Sequence, residues 1–174
     1  VSDLNLTTNR IRIGGIVGRL TGGTIKNCYV SGNISATSTK DGNGIGGILG
    51  DAEAEPVTTI ENCLTKIKFE NASGPRLNGA IIGLAMNGKA VLKNNVSLSS
   101  GEKVYGVHGY TIDASSTNNY ELEDSGLTTN ASGDRVKTVA KADVNKEFFK
   151  DKVKFDETIW DLDEASYDNA PALK

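Results

Sequence analysis

One five-residue pattern returns at a near-constant interval, and that interval governs what this chain can fold into. Gly14-Gly15-Ile16-Val17-Gly18 comes back as Gly46-Gly47-Ile48-Leu49-Gly50, as Gly79-Ala80-Ile81-Ile82-Gly83 and, in degenerate form, as Tyr105-Gly106-Val107-His108-Gly109. The copies begin at residues 14, 46, 79 and 105, which are steps of 32, 33 and 26. A second element trails each copy: Thr24-Ile25-Lys26-Asn27-Cys28-Tyr29, Thr59-Ile60-Glu61-Asn62-Cys63-Leu64 and Val91-Leu92-Lys93-Asn94-Asn95-Val96, with Asn118-Asn119-Tyr120 as the remnant in the fourth. A period of this length marks a stacked array. Ile, Val, Thr and Tyr fall in short runs bounded by Gly, Asn and Ser, without helical spacing, so the units read as strands. The expected fold is mainly β: a short parallel β-helix-like solenoid of three to four repeats with a small helical C-terminal cap.

Stacking gives each column a physical role. Ile25, Ile60 and Leu92 are predicted to form one aliphatic ladder and Ile16, Ile48 and Ile81 another, each fully buried member contributing about 1.5–3 kcal/mol. No unit could bury both positions alone, so the copies need one another. Asn27, Asn62 and Asn94 form a column whose amides can bond along the stack. Lys26, Glu61 and Lys93 alternate in sign, which fits a solvated face. The glycines serve tight bends or close backbone approach. Cys28 and Cys63 share one repeat position and are expected as free, packed thiols, because side-by-side parallel Cβ vectors suit a disulfide poorly. Strict alternation from Lys26 points Cys28 outward, whereas a bend at Asn27 would reset the phase.

From about Lys137 the texture changes. "KADVNKEFFKDKVKF" carries helix formers, and Asp143 reads as the N-cap of a helix running through Phe148 and Phe149 to roughly Lys152. Phe148, Phe149, Phe155 and Trp160 read as the apolar face of a cap, since a stack of strands has an open end that must be covered. Residues 1–136 are thus the repeats and residues 137–174 a helical or irregular cap packed on them, one structural domain overall.

The chemistry the residues allow is narrow. With 19 basic and 22 acidic residues the net charge is −3, so no positive field exists to hold nucleic acid or anionic lipid. The apolar runs are too short to span a membrane as a helix. Gly42-Asn43-Gly44-Ile45-Gly46-Gly47 fits G-x-G-x-x-G literally, but that fingerprint needs a strand before it and a helix after it, and this match lies inside the repeat. His108, the single histidine, falls in the column of Val17, Leu49 and Ile82, with no partner for catalysis in view. Asp51, Glu53 and Glu55 alternate in a loop and could hold calcium, although a solvated face is the plainer reading. Asp161, Asp163, Glu164 and Asp168 read the same way. H-E-x-x-H, C-x-x-C, G-x-S-x-G and EF-hand patterns do not occur. No catalytic, cofactor-binding or metal-binding residue is assigned, and the substrate-binding residues stay unknown. Residues 38–43, 52–57 and 72–76 are candidate binding loops because repeat-to-repeat length variation collects there.

At this point the residues suggest a family. "IGGIVGRLTGGTIKNCYVSGNIS" resembles the Gly-Leu-any-Gly, or GLUG, repeat of bacterial surface proteins: a Gly-Gly-aliphatic-aliphatic-Gly strand, a "GGTI.N.Y" strand and a "G-N-aliphatic-S" close. The first copy, residues 13–35, carries the likeness best and the fourth least. The closing "IWDLDEASYDNAPALK" is similar to the tryptophan-then-"P.LK" end of such repeat regions. Within that group "IRIGGIVGRL" looks most like the region upstream of the catalytic domain in streptococcal immunoglobulin A proteases and related cell-wall zinc metalloproteases. The resemblance implies a non-catalytic middle module of a large enzyme that is extracellular, secreted or held at the bacterial cell surface. The start at Val1 rather than Met reads likewise as an internal segment. Zinc is then expected only in the parent's catalytic domain, because the family's H-E-x-x-H has no counterpart here. The implied partners are host immunoglobulin A and other domains of the same polypeptide, with the chain itself a monomer that engages neither nucleic acid nor membrane. Its work would be substrate recognition, domain spacing or both, adding binding area away from the scissile bond. The alternative is an adhesin repeat region that binds a host glycan or matrix protein. A β-helix enzyme acting on polysaccharide would carry paired carboxylates on one face, which the Lys26–Glu61–Lys93 column lacks.

Overall fold

Glycine and asparagine make the corners. A Cβ at Gly14, Gly46 or Gly79 would run into the carbonyl oxygen three residues on, that of Val17, Leu49 or Ile82, so only glycine lets the chain turn back so tightly. The next corner belongs to Asn27, Asn62, Asn94 and Asn118, which hold left-handed backbone at φ 54°, 53°, 53° and 58°. Asparagine visits that region more readily than most residues do. Between corners the β-branched residues run as short extended strands.

The structure is a computed structural model that describes residues 3–7, 12–37, 44–73 and 78–174. Among the described residues the repeat strands form four parallel sheets, and the tail adds one antiparallel pair, Trp160–Asp161 with Ala172–Leu173. One pairs Arg12–Gly14, Gly44–Gly46 and Asn78–Gly79; the next pairs Val17–Leu20, Leu49–Ala52 and Ile82–Ala85; a third pairs Gly23–Lys26, Thr58–Glu61 and Ala90–Lys93. The longest runs from Asp3–Thr7 through Tyr29–Thr37, Leu64–Ser73, Val96–Ser97 and Asn119–Leu122 to Val136–Val139. Along the chain the strands visit these sheets in that order and then begin again one layer on. The chain is therefore mainly β with parallel sheets, an arrangement consistent with the expected β-helix-like fold.

Equivalent residues of successive repeats face each other. Ile25 pairs with Ile60 and Ile60 with Leu92, all buried. The Ile16 N–H donates to the Ile48 carbonyl at 3.1 Å, and the Ile48 N–H to the Ile81 carbonyl at 2.9 Å. The side chains of that second ladder do not share one fate. Ile48 and Ile81 are fully buried, but Ile16 is 47% exposed, because it adjoins the edge strand Val17–Leu20, which among the described residues has a partner strand on one side only. Asn94 donates its side-chain amide to Asn62 Oδ1 at 3.2 Å, and Asn118 donates to Asn94 Oδ1 at 3.0 Å, forming the expected asparagine ladder. Lys26 and Lys93 both pair with Glu61 in register, and both lysines are exposed. In the degenerate fourth repeat the pairing shrinks to isolated bridges, Gly79 with Tyr105 and Ile82 with His108.

Two expectations for the C-terminal segment need correction. Asp143 ends a 3-10 turn, Lys141–Asp143, rather than capping a helix. The cap is Asn145, whose Oδ1 accepts the Phe148 N–H at 2.9 Å. The helix itself is one π-helical stretch, Phe148–Val153, closed by left-handed Lys154. The tail also lies along the flank of the stack, not over its end. Tyr29, Leu64, Val96 and Tyr120 form an outward column on the longest sheet, and Phe148, Phe149, Phe155 and Trp160 pack into one cluster with them. Those rings form a chain, Phe148 edge-on to Tyr120 at 5.0 Å and Phe155 stacked on Trp160 at 4.5 Å. The end of the stack is covered instead by the excursion between Asn119–Leu122 and Val136–Val139. Its Thr128 bridges to Tyr105, and its Asn130 Oδ1 accepts the Val107 and His108 N–H groups at 2.9 and 2.8 Å.

Candidate functional site

Asn119–Leu122 and Val136–Val139 pair in parallel, so alternation sends Asn119 and Glu121 inward and Tyr120 and Leu122 toward the tail. The Glu123 N–H still reaches the Val139 carbonyl at 2.9 Å, after which left-handed Asp124 and Gly126 bend the chain away. Three adjoining grooves meet at Glu123. One of about 720 Å³ runs between Glu121, Glu123 and Asp124 and the hydroxyls of Thr128, Thr129 and Thr138. A second of about 570 Å³ has Tyr120 and Phe148 in its lining and Asp143, Glu147 and Asp151 around them. A third of about 330 Å³ reaches Lys141 and Tyr167.

Several of these side chains are held by a partner or by packing. The buried Glu121 carboxylate accepts the Asn130 N–H at 2.9 Å, the Ala131 N–H at 3.1 Å and the Thr129 hydroxyl. Such charge-assisted bonds offset the cost of burying the charge. Glu123 accepts the Thr138 hydroxyl at 2.9 Å and stays exposed. The Tyr120 hydroxyl donates to Asn118 Oδ1 at 3.2 Å, and burial pushes its pKa up. Lys141 Nζ lies 4.0 Å from the centre of the Tyr167 ring, while Lys66 Nζ donates to the Tyr167 and Asp168 carbonyls at 2.7 and 2.9 Å. Exposed Asp143, Glu147 and Asp151 beside two aromatic rings give the second groove a negative rim. Chemically, such a surface attracts cationic groups.

The residues singled out from sequence lie elsewhere. Asp51 is fully buried and accepts from Arg12 Nε at 2.5 Å, with Arg19 Nε at 3.4 Å; Glu53 pairs with Arg19, and Glu55 lies 3.8 Å from Lys89. Three cationic partners thus engage the three carboxylates once considered for calcium. His108 is half-buried, its Nδ1 has no partner, and burial lowers its pKa to about 4. Asp163 accepts from Lys146 at 2.6 Å, which sets it apart from Asp161, Glu164 and Asp168 as a paired group. Cys63 is buried and Cys28 half-buried, so the bend at Asn27 does reset the alternation. The neighbouring Cys63 thiol lowers the pKa of Cys28 to about 7, while the Cys28 thiol and burial together raise that of Cys63, each thiol donating to a backbone carbonyl. In the G-x-G-x-x-G match, Gly42 and Asn43 fall outside the described residues, and Leu49–Ala52, a strand, follows Gly47. Of the three candidate loops, residues 38–43 and most of 72–76 lie outside the described residues, and 52–57 carries exposed Val57.

Sequence reasoning missed the excursion after Leu122 and the role of Glu121. One signal was present: the fourth repeat's remnant is followed by a turn-rich run, "EDSGLTTNASGD", with no strand periodicity. No curated protein and no solved structure matches the chain. Residues 9–35, which contain the first repeat, match the GLUG motif.

Proposed function

We propose that this chain is a short parallel β-helix of three to four GLUG-type repeats, residues 1–136, with residues 137–174 packed along its flank, and that it works as a non-catalytic recognition and spacing module. The parent on this reading is a secreted or cell-wall zinc metalloprotease of the immunoglobulin A protease type, with its zinc in a separate catalytic domain. The GLUG motif in residues 9–35 supports the repeat reading, and the likeness of "IRIGGIVGRL" to such proteases supports the parent. The observation that carries the recognition role is the meeting of three grooves at Glu123, lined by carboxylates and aromatic rings and mounted on paired strands. Rigid strands present such a surface with little ordering cost on binding. Its negative rim would draw a basic segment of the partner and raise the association rate.

The test is titration of the 15N-labelled chain with immunoglobulin A while backbone amide signals are followed. Shifts should concentrate at Tyr120–Asp124 and Thr138–Lys152, and Glu123→Lys should weaken binding at least fivefold. Shifts on another face would move the surface away from Glu123. Silence at high immunoglobulin concentration would remove recognition and leave spacing alone. Binding to a host glycan or matrix protein in parallel arms would favour an adhesin.

A further inference from the structure

Two thiols occupy one column of adjacent layers. Each follows a left-handed asparagine, Cys28 after Asn27 and Cys63 after Asn62. The register around them is fixed, since Tyr29 pairs with Leu64 and the Leu64 N–H donates to the Cys28 carbonyl at 2.9 Å. In the next two layers the same column holds Asn95 and Asn119, whose side chains bond layer to layer. Sulfur thus replaces a polar, cross-layer linking group in the first two layers only.

The spacing suits one kind of linker. Neighbouring strands stand about 4.8 Å apart, so equivalent side chains that point the same way keep roughly that separation. A disulfide needs its sulfurs about 2.05 Å apart. Two metal–sulfur bonds placed end to end span about 4.6 Å at the zinc–thiolate length of about 2.3 Å, and slightly less for a two-coordinate Cu(I). Surroundings agree with the second option. Cys63 is fully buried within the apolar cluster that holds Ile25 and Ile60, and no water-rich shell is available to a hard, strongly hydrated ion. Cys28, half-buried in the outermost layer, supplies the entry path. Further polar atoms are carbonyl oxygens, Glu61 at 3.2 Å from Cys63 Sγ and Lys26 at 3.3 Å from Cys28 Sγ.

We propose that Cys28 and Cys63 together form a two-coordinate site for a soft monovalent cation of the Cu(I) class, which clamps the first layer to the second. On binding, each thiol gives up its proton to solvent and each sulfur forms one bond to the ion, with no change of oxidation state.

The test uses the full chain, reduced and kept free of oxygen, with Cu(I) supplied as its complex with a chromophoric chelator. One Cu(I) per chain should pass from chelator to protein, and both thiols should become resistant to alkylation. Cys28→Ser, at the half-buried position, should keep its far-UV circular dichroism and lose Cu(I) affinity at least 100-fold; Cys63→Ser should do the same if it folds. Unchanged Cu(I) uptake by Cys28→Ser would overturn the site. So would ready conversion of the pair to an internal disulfide by oxidised glutathione, read as a loss of two hydrogens by mass with the fold intact, since the sulfurs would then approach more closely than the clamp allows.

Discussion

Asn119→Ala asks whether the inner polar column joins the layers. The side chain is fully buried. Its Oδ1 accepts the Asn95 N–H at 3.2 Å and the Asn95 amide at 2.9 Å, and its Nδ2 donates to the carbonyls of Leu92, Thr117 and Arg135. Those carbonyls each keep another donor, respectively Thr117, Asn94 and Asn119 backbone N–H. The Asn95 N–H loses its acceptor, and an orphaned buried donor costs about 1–3 kcal/mol. The small void and the weakened carbonyls add about 1–2 kcal/mol, so the expected loss is about 3 kcal/mol. With a urea m-value of about 2 kcal/mol/M, the denaturation midpoint should fall by about 1.5 M. Asn94→Gly is the control. Asn94 is half-buried, and glycine adopts its φ of 53° freely, so losing its two ladder bonds should cost no more than about 1 kcal/mol. A midpoint drop below about 0.3 M for Asn119→Ala, or a larger drop for Asn94→Gly, would refute the claim that the inner column outweighs the outer one.

Two further outcomes are expected. Burial holds the His108 pKa at about 4, below the 6.5 of an unperturbed imidazole, with Arg135 adding to the effect and a hydrogen bond to the Tyr110 backbone opposing it. Because the folded pKa is the lower one, the stability is complete above pH 6.5 and is lost as pH falls toward 4, by about 3 kcal/mol in all. Urea midpoints at pH 7 and 4.5 should show that slope in the parent and a shallower one in His108→Leu; equal slopes would contradict it. Trp160 is fully buried against Phe155 with its indole N–H unpaired, so Trp160→Phe sheds an orphaned donor while Trp160→Ala opens a cavity. Thermal melts should place the first within about 1.5 kcal/mol of the parent and the second about 3–5 kcal/mol below it; similar losses in both would show that the ring's packing was misjudged.

What the sequence made legible is what repeats. Ile25, Ile60 and Leu92 could be aligned because each sits two residues before the asparagine of its copy, and stacking layers must bring equal offsets together. The left-handed asparagines were half-visible, as a column with an amide ladder, because any conformation that recurs in every layer leaves the same residue in every layer. Where the period lapses, so does the reading. Residues 123–135 follow no repeat, and nothing local says that Asn130 will reach back to Val107 and His108. The grooves at Glu123 were out of reach for the same reason: one is shaped by the non-repeating residues 123–129, and another arises between a strand of the fourth repeat and residues more than twenty positions downstream, such as Phe148. Single-residue chemistry misled in the other direction, since Asp51 and Glu53 look like calcium ligands until Arg12 and Arg19, from the layer before, are placed beside them.

The position of the tail was legible in principle, through a column that alternation explains. Once the left-handed asparagine resets the phase, the residue directly after it points inward and the next one outward. Those next residues are Tyr29, Leu64, Val96 and Tyr120, apolar or aromatic in all four layers. An outward column of that kind cannot be left to water: four such side chains cost about 1.5–3 kcal/mol each if exposed rather than buried. The stack therefore demands a cover along its longest sheet, and Phe148, Phe149, Phe155 and Trp160 are the bulkiest side chains of the tail that supply it. The lysine-rich stretch between them keeps its charges in solvent, as Lys150 and Lys152 do, while the rings meet the column. The flank, rather than the end, is where the tail's burial energy lies, and two of the three grooves at Glu123 have the tail as a wall.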